Sequence, residues 1–195
     1  LPIGFNSKGP KKPFRVALTI TDKIDTIVGF FGINEKPTSS KDPLALRRTA
    51  LGIIRTAIEN KKNLKIDDLL IYSSRLYKDQ GYNLLNKNLI GDLHDFLEDR
   101  FKYYLKEKDI RYDIIEATLS SFSLNKLFLS FEKAKCLNKV INSQIGIDIN
   151  LSYKRASNIL DHEMKNNVIE ISDTTDPGIF KSEFEKNLYK KINDI

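Results

Sequence analysis

Residues 21–48 read TDKIDTIVGFFGINEKPTSSKDPLALRR, and how this stretch parses decides the fold. Its first part continues an apolar stripe. Val16, Ile20, Ile24, Ile27 and Phe31 recur at three- and four-residue steps, the period of one helix face. The spacing predicts a helix over residues 14–31. Arg15, Asp22, Asp25, Thr26 and Gly29 fall on its other side. A glycine inside a helix costs about 1 kcal/mol relative to alanine. Gly29 therefore predicts that another group packs closely there, so this polar side should be covered as well. The run Pro37–Pro43 reads as a turn. Asp42 followed by Pro43 predicts the start of a second helix, with Asp42 as its cap and Pro43 as its first residue. That helix should run to about Asn60.

In this second helix Leu46, Ala50, Ile53, Ile54, Ala57 and Ile58 form the apolar arc, with Leu44 and Leu51 at one edge. Arg47 falls inside the arc. Arg48 and Arg55 sit together beyond its edge. A guanidinium directed into a core needs a partner, because an unpaired buried charge is very costly. Asp22 and Asp25 are the nearest candidate carboxylates in sequence. Asp22, Asp25, Asp42 and Arg47 are thus expected to be structural.

The stretch resembles the ADKLDTLVGFFGIG–KPTGSKDPFALRR segment of the β subunit of bacterial tetrameric glycyl-tRNA synthetase. The likeness runs through nearly thirty consecutive positions with irregular spacing, which makes it specific. Ser39 stands where that family usually has Gly; if the Gly takes a positive φ, Ser39 is strained there or the turn is rearranged. Ile20–Asp25, ITDKID, is also similar to the closing element of HD-type metal-dependent phosphohydrolases. In active members the last metal ligand is an Asp on a helix, and Asp22 aligns with it. The remaining ligands, a His and a His–Asp pair, would precede Leu1.

Downstream, the periodicity predicts helices over 66–77, from about 87 through Leu105, over 111–119, over 123–143 with Ser123 as cap, and over 148–165. A last amphipathic helix begins near Phe180. Leu89, Leu93, Phe96, Leu97, Phe101, Tyr104 and Leu105 mark the longest core stripe. Short extended pieces near 145–150 and 168–171 are the only departures from an all-α reading. Leu93–Ala117, LHDFLEDRFKYYLKEKDIRYDIIEA, fits the same synthetase family.

Leu151–Lys165, LSYKRASNILDHEMK, resembles the opening signature of DALR-type anticodon-binding helical domains. Tyr153, Ala156, Ile159, Leu160 and Met164 are expected to face inward. Arg155, Asn158 and His162 share the outer face, with Lys154 at its edge. Such a face can contact RNA, and this resemblance makes Lys154, Arg155, Asn158 and His162 candidate RNA-binding residues. Arg48 and Arg55 join them on charge. Residues 1–65 hold 13 Lys/Arg against 5 Asp/Glu, whereas residues 66–195 hold 19 against 21. A basic segment beside a nearly neutral one points to a polyanion, since phosphate contacts carry most non-specific affinity.

The sequence holds no phosphate-binding glycine loop and no nucleophile elbow. His94 and His162 fall on different helices and are expected at the surface or its edge. Lys36 and Lys41 near the start of a helix could receive a phosphate, but Asp42 competes for that end. Cys136, the single cysteine, excludes an internal disulfide and is expected as a small buried residue on a helix. A reducing cytoplasm fits this cysteine usage. The longest apolar runs, 27–31 and 69–72, are too short to span a bilayer.

The resemblance implies an internal-to-C-terminal portion of the β subunit. Residues 1–85 would be the end of an HD-like helical domain and 86–195 the beginning of an anticodon-binding-like helical domain, incomplete at its end. It implies that no cofactor binds this portion, while ATP and Mg serve the full enzyme. It implies an α subunit and tRNA(Gly) as partners in an α2β2 tetramer without a membrane, with no catalytic residue here. Two other readings stay open: an HD-family phosphohydrolase remnant using Asp22, and a helical scaffold that only contacts the α subunit.

Overall fold

The computed structural model describes residues 9–38, 40–166 and 175–194. Among these residues all regular structure is helical. Eight α-helices follow in order: α1 Pro13–Gly32, α2 Leu46–Glu59, α3 Ile66–Asp79, α4 Leu89–Lys106, α5 Tyr112–Leu119, α6 Leu127–Ile141, α7 Gln144–Asn166 and α8 Glu183–Asn193. Two 3-10 turns, Leu124–Lys126 and Pro177–Ile179, precede α6 and α8. The extended piece expected at 145–150 is instead the first part of α7. The one expected at 168–171 lies outside the described residues.

The chain divides into two compact units, residues 1–146 and 147–195. In the first, α2 is the central element, packed against α1, α4 and α6. Ile53, Ile54, Ala50 and Ala57 are completely buried on it. Around them close Ile27 and Val28 of α1, Leu93, Leu97, Phe101 and Leu105 of α4, and Ala134 of α6. Phe31 meets the Phe96 ring at 4.9 Å, and Phe101 stacks on Phe122 at the same distance. Each fully buried apolar side chain of this size contributes roughly 1.5–3 kcal/mol.

The start of α2 differs from the sequence expectation. Residues 42–45 make a turn in which the Ala45 N–H donates to the Asp42 carbonyl at 3.1 Å. Pro43 takes the second turn position, which its fixed φ suits. Ala45 then adopts φ 54°, and the helix begins at Leu46, not Pro43. Asp42 still does a cap's work from upstream. Its carboxylate accepts from the N–H groups of Leu46, at 2.8 Å, and Arg47, at 3.1 Å.

Arg47 also corrects its expectation. It is half-buried, and its guanidinium donates to the Thr38 carbonyl of the preceding turn, not to Asp22 or Asp25. Its long stem lets the charged head leave the apolar arc and reach the surface. Asp22 and Asp25 are exposed on α1 and form no ion pair with Arg15, Lys23 or Arg47. The other side of α1 is nonetheless partly covered, as Gly29 required. A Cβ there would lie 2.6 Å from the Tyr77 hydroxyl oxygen, and that hydroxyl donates to the Asp25 carbonyl at 3.3 Å. Burial, then the Asp25 charge, pushes the Tyr77 phenol above its ordinary pKa. Ser39 lies outside the described residues.

Two asparagines lock α3 to α6. The Asn125 side chain accepts from the Asp67 N–H at 3.0 Å, and the Asn63 side chain accepts from the Leu129 N–H at 3.2 Å. Ser123 precedes the 3-10 turn and makes no side-chain cap. Cys136 is exposed on α6 and not buried as expected. Lys36 pairs with Asp92 in the first turn of α4, where Asn86 also donates to Asp92 at 2.8 Å.

The second unit contains most of α7, followed by α8. Ser182 and Glu185 form a reciprocal capping box at the start of α8. No residue of α8 is buried.

Candidate functional site

Helix α7 is begun by Ser143, whose hydroxyl accepts from the Gly146 N–H at 3.2 Å. From there a regular helix runs 23 residues. At 100° per residue Lys154, Asn158, His162 and Arg155 fall within one arc. All four are exposed. The His162 Nδ1 lies 3.9 Å from the Glu163 carboxylate, a distance at which protonated imidazole forms an ion pair.

The opposite arc departs from expectation. Tyr153 is 71% exposed, Ile159 66%, Leu160 47% and Met164 49%. These residues, with the exposed Ala156, share a face as the periodicity predicts, but nothing among the described residues buries it. Phe184, Leu188 and Ile192 form a similar exposed stripe on α8.

In the first unit, Arg48 and Arg55 stand on the outward ridge of α2, together with Gly52 and Glu59. Arg48 is exposed, and Arg55 pairs with Glu59 at 3.3 Å. Glu59 also accepts from the Gly9 N–H at 2.9 Å. Lys23 of α1 reaches this ridge. Its Cε would lie 2.7 Å from a Cβ placed on Gly52, so its stem rests directly on that glycine. The sequence reading missed Lys23 and Gly52. The available signal was Gly52 itself, a helix glycine at i+4 from Arg48 and three before Arg55.

Another side of the unit is acidic. Asp95, Glu98, Asp99 and Glu116 line an open cleft between α4 and α5, and Lys102 there is already paired with Glu116. A polyanion would be repelled from it. His94 is half-buried near its Glu98 neighbour, with its ring edge-on to Phe122. Among the described residues no three His, Cys, Asp or Glu side chains stand close enough to share a metal ion. No described helix is long and apolar enough to cross a membrane.

The described architecture is all-α-helical, with a cationic ridge and a polar helix face exposed. Comparison with known proteins supplies the family. Residues 1–120 match the family model for the glycyl-tRNA synthetase beta subunit. A glycine–tRNA ligase beta subunit of Cereibacter sphaeroides is 34% identical over 191 residues, covering 98% of this chain and 27% of that protein. One from Rhodospirillum centenum is 37% identical over 171 residues, 88% of this chain and 23% of that protein. One from Paracoccus denitrificans is 34% identical over 193 residues, 98% of this chain and 26% of that protein. The chain belongs to the glycyl-tRNA synthetase beta subunit family. It spans about a quarter of the length of these curated relatives.

Proposed function

We propose that this chain is a tRNA-contacting portion of the β subunit of glycine–tRNA ligase. In the full enzyme it would support ATP-dependent glycylation of tRNA(Gly), carried out with an α subunit in a cytoplasmic α2β2 tetramer. The observation that carries the reading is family membership across most of the chain. The exposed Lys154, Arg155, Asn158 and His162 of α7 support it, as do Arg48 and Arg55. ATP, magnesium and glycine would be handled by the α subunit, with this portion assisting through tRNA.

The same reading makes residues 1–85 the end of an HD-like domain and 86–195 the opening of an anticodon-binding-like domain. The apolar faces of α7 and α8 are exposed among the described residues, which supports this reading, because a helix face of this kind is ordinarily buried. In the phosphohydrolase alternative Asp22 would be one metal ligand, with a His and a His–Asp pair supplied from before Leu1.

The test is Lys154→Gln with Arg155→Gln in the full β subunit, assembled with its α partner. Loss of two phosphate contacts would lower the salt slope of tRNA(Gly) affinity by about two. Unchanged affinity and slope in a folded variant would leave α7 as scaffold only.

A further inference from the structure

Arg48, Gly52, Arg55 and Glu59 lie at i, i+4, i+7 and i+11, so they share the exposed ridge of α2. Side chains three and four apart on a helix hold their Cβ atoms about 5–6 Å apart. Lys23 enters this ridge from α1 at the one position without a side chain. Its Nζ would lie 3.1 Å from a Cβ at Gly52. The ammonium is therefore set down between the bases of Arg48 and Arg55. A larger residue at 52 would fill that place.

The local carboxylate supply is already committed. Glu59 is shared between the Arg55 guanidinium and the Gly9 N–H. Lys23 and Arg48 form no ion pair among the described residues. Asp22 neighbours Lys23 in sequence but leaves α1 about 100° around the helix. Among the described residues, three adjacent cations stand beside one carboxylate at this ridge, a positive surface that an anion relieves. Arg48 is exposed and Lys23 and Gly52 are half-buried, so the ridge is open to solvent. Such an open surface suits successive phosphates of a polymer better than a small anion needing enclosure.

We propose that Lys23 and Arg48, brought together over Gly52 and backed by Arg55, seat backbone phosphates of RNA. This rests on the tRNA-binding reading above and adds a contact surface on the first unit. Lys23 is its new member, and Gly52 is the residue that admits it.

The test uses the full β subunit assembled with its α partner, titrated with a tRNA(Gly) transcript across a salt series. Lys23→Gln and Arg48→Gln should each lower the slope of log affinity against log salt by about one, and the double variant by about two. Lys23→Arg should restore the slope, which a merely structural loss would not allow. The Lys154→Gln/Arg155→Gln variant is run in parallel. If that variant loses slope while folded Lys23→Gln/Arg48→Gln protein keeps it, the ridge proposal falls and the tRNA reading stands. If the unsubstituted enzyme shows no salt-dependent affinity, both fall.

Discussion

Asn63 and Asn125 exchange helix caps. Each lies just before or beside the start of one helix and accepts from the N–H of the other, α6 and α3 respectively. Losing such a cap costs about 1 kcal/mol. Asn125→Ala and Asn63→Ala should each lower the unfolding free energy by about that amount, read as a lower urea midpoint with the slope of the transition unchanged. Because both bonds tie the same two helix starts, the double variant should lose less than the sum. Strict additivity in a double-mutant cycle would show that the two caps act independently.

Asp92 should make stability depend on pH in acid. The Lys36 ammonium, then the Asn86 amide, hold its carboxyl below the ordinary carboxylate range. A depressed folded-state pKa contributes stability that is fully present above the unfolded value of about 3.9 and is lost as pH falls through the folded value. Urea midpoints of the chain and of its Asp92→Asn variant should therefore differ at neutral pH and converge in strong acid. A difference that persisted unchanged to low pH would remove Asp92 from this role.

Gly29→Ala should destabilise the chain although alanine favours helix. The new methyl would meet the Tyr77 hydroxyl oxygen at 2.6 Å and its ring carbon at 3.1 Å. Overpacking costs roughly 1–3 kcal/mol, against about 1 kcal/mol gained in helix propensity. In a Tyr77→Phe background the hydroxyl is gone and the penalty should shrink. Thermal melts of the four proteins in this cycle give the answer.

Asp42→Ala should cost more than Arg47→Ala. Asp42 satisfies two N–H groups at the start of α2, so its loss is expected near the top of the capping range, about 2 kcal/mol. Arg47 gives one charged hydrogen bond to a carbonyl at the surface, and its loss should cost about 1 kcal/mol. A cost of 3 kcal/mol or more for Arg47→Ala, measured by urea unfolding, would indicate a buried pair after all.

Cys136 should react in the folded chain. It is exposed on α6, so a thiol reagent should modify it under native conditions at nearly the rate seen in denaturant. Strong native-state protection would mean that its face of α6 is covered.

What the sequence made legible followed from periodicity. The stripe through Ile20, Ile24, Ile27 and Phe31 became the buried face of α1, and the one through Leu93, Leu97, Phe101 and Leu105 became the heart of α4. Arg48 and Arg55 did emerge together on one ridge. What stayed hidden depends on distance in the chain. The partners of Asn63 and Asn125 lie 66 and 58 residues away, beyond any local pattern. Lys23 meets Gly52 only because α1 crosses α2. The start of α2 was misplaced because a Pro-containing turn and a helix start share the same Asp-Pro signal, and Ala45 in a left-handed conformation resolves it. A helical wheel gives the direction in which Arg47 leaves its helix but not how far its stem carries the charge. The wheel also marked the apolar face of α7 correctly, yet could not say whether anything covers it.

The central position of α2 has a consequence for synthesis. Its packing partners α4 and α6 are made after it, and about eighty residues separate Glu59 from Ile141. At roughly 5–20 residues per second, a ribosome takes on the order of 4–16 s to deliver them. Until α4 emerges, α1 is the one described packing partner already made for Ile53, Ile54 and Ala57, and the apolar seam stays partly open until α6 follows. A chaperone that engages emerging chains would find its target there, and would lose it when α6 closes the core.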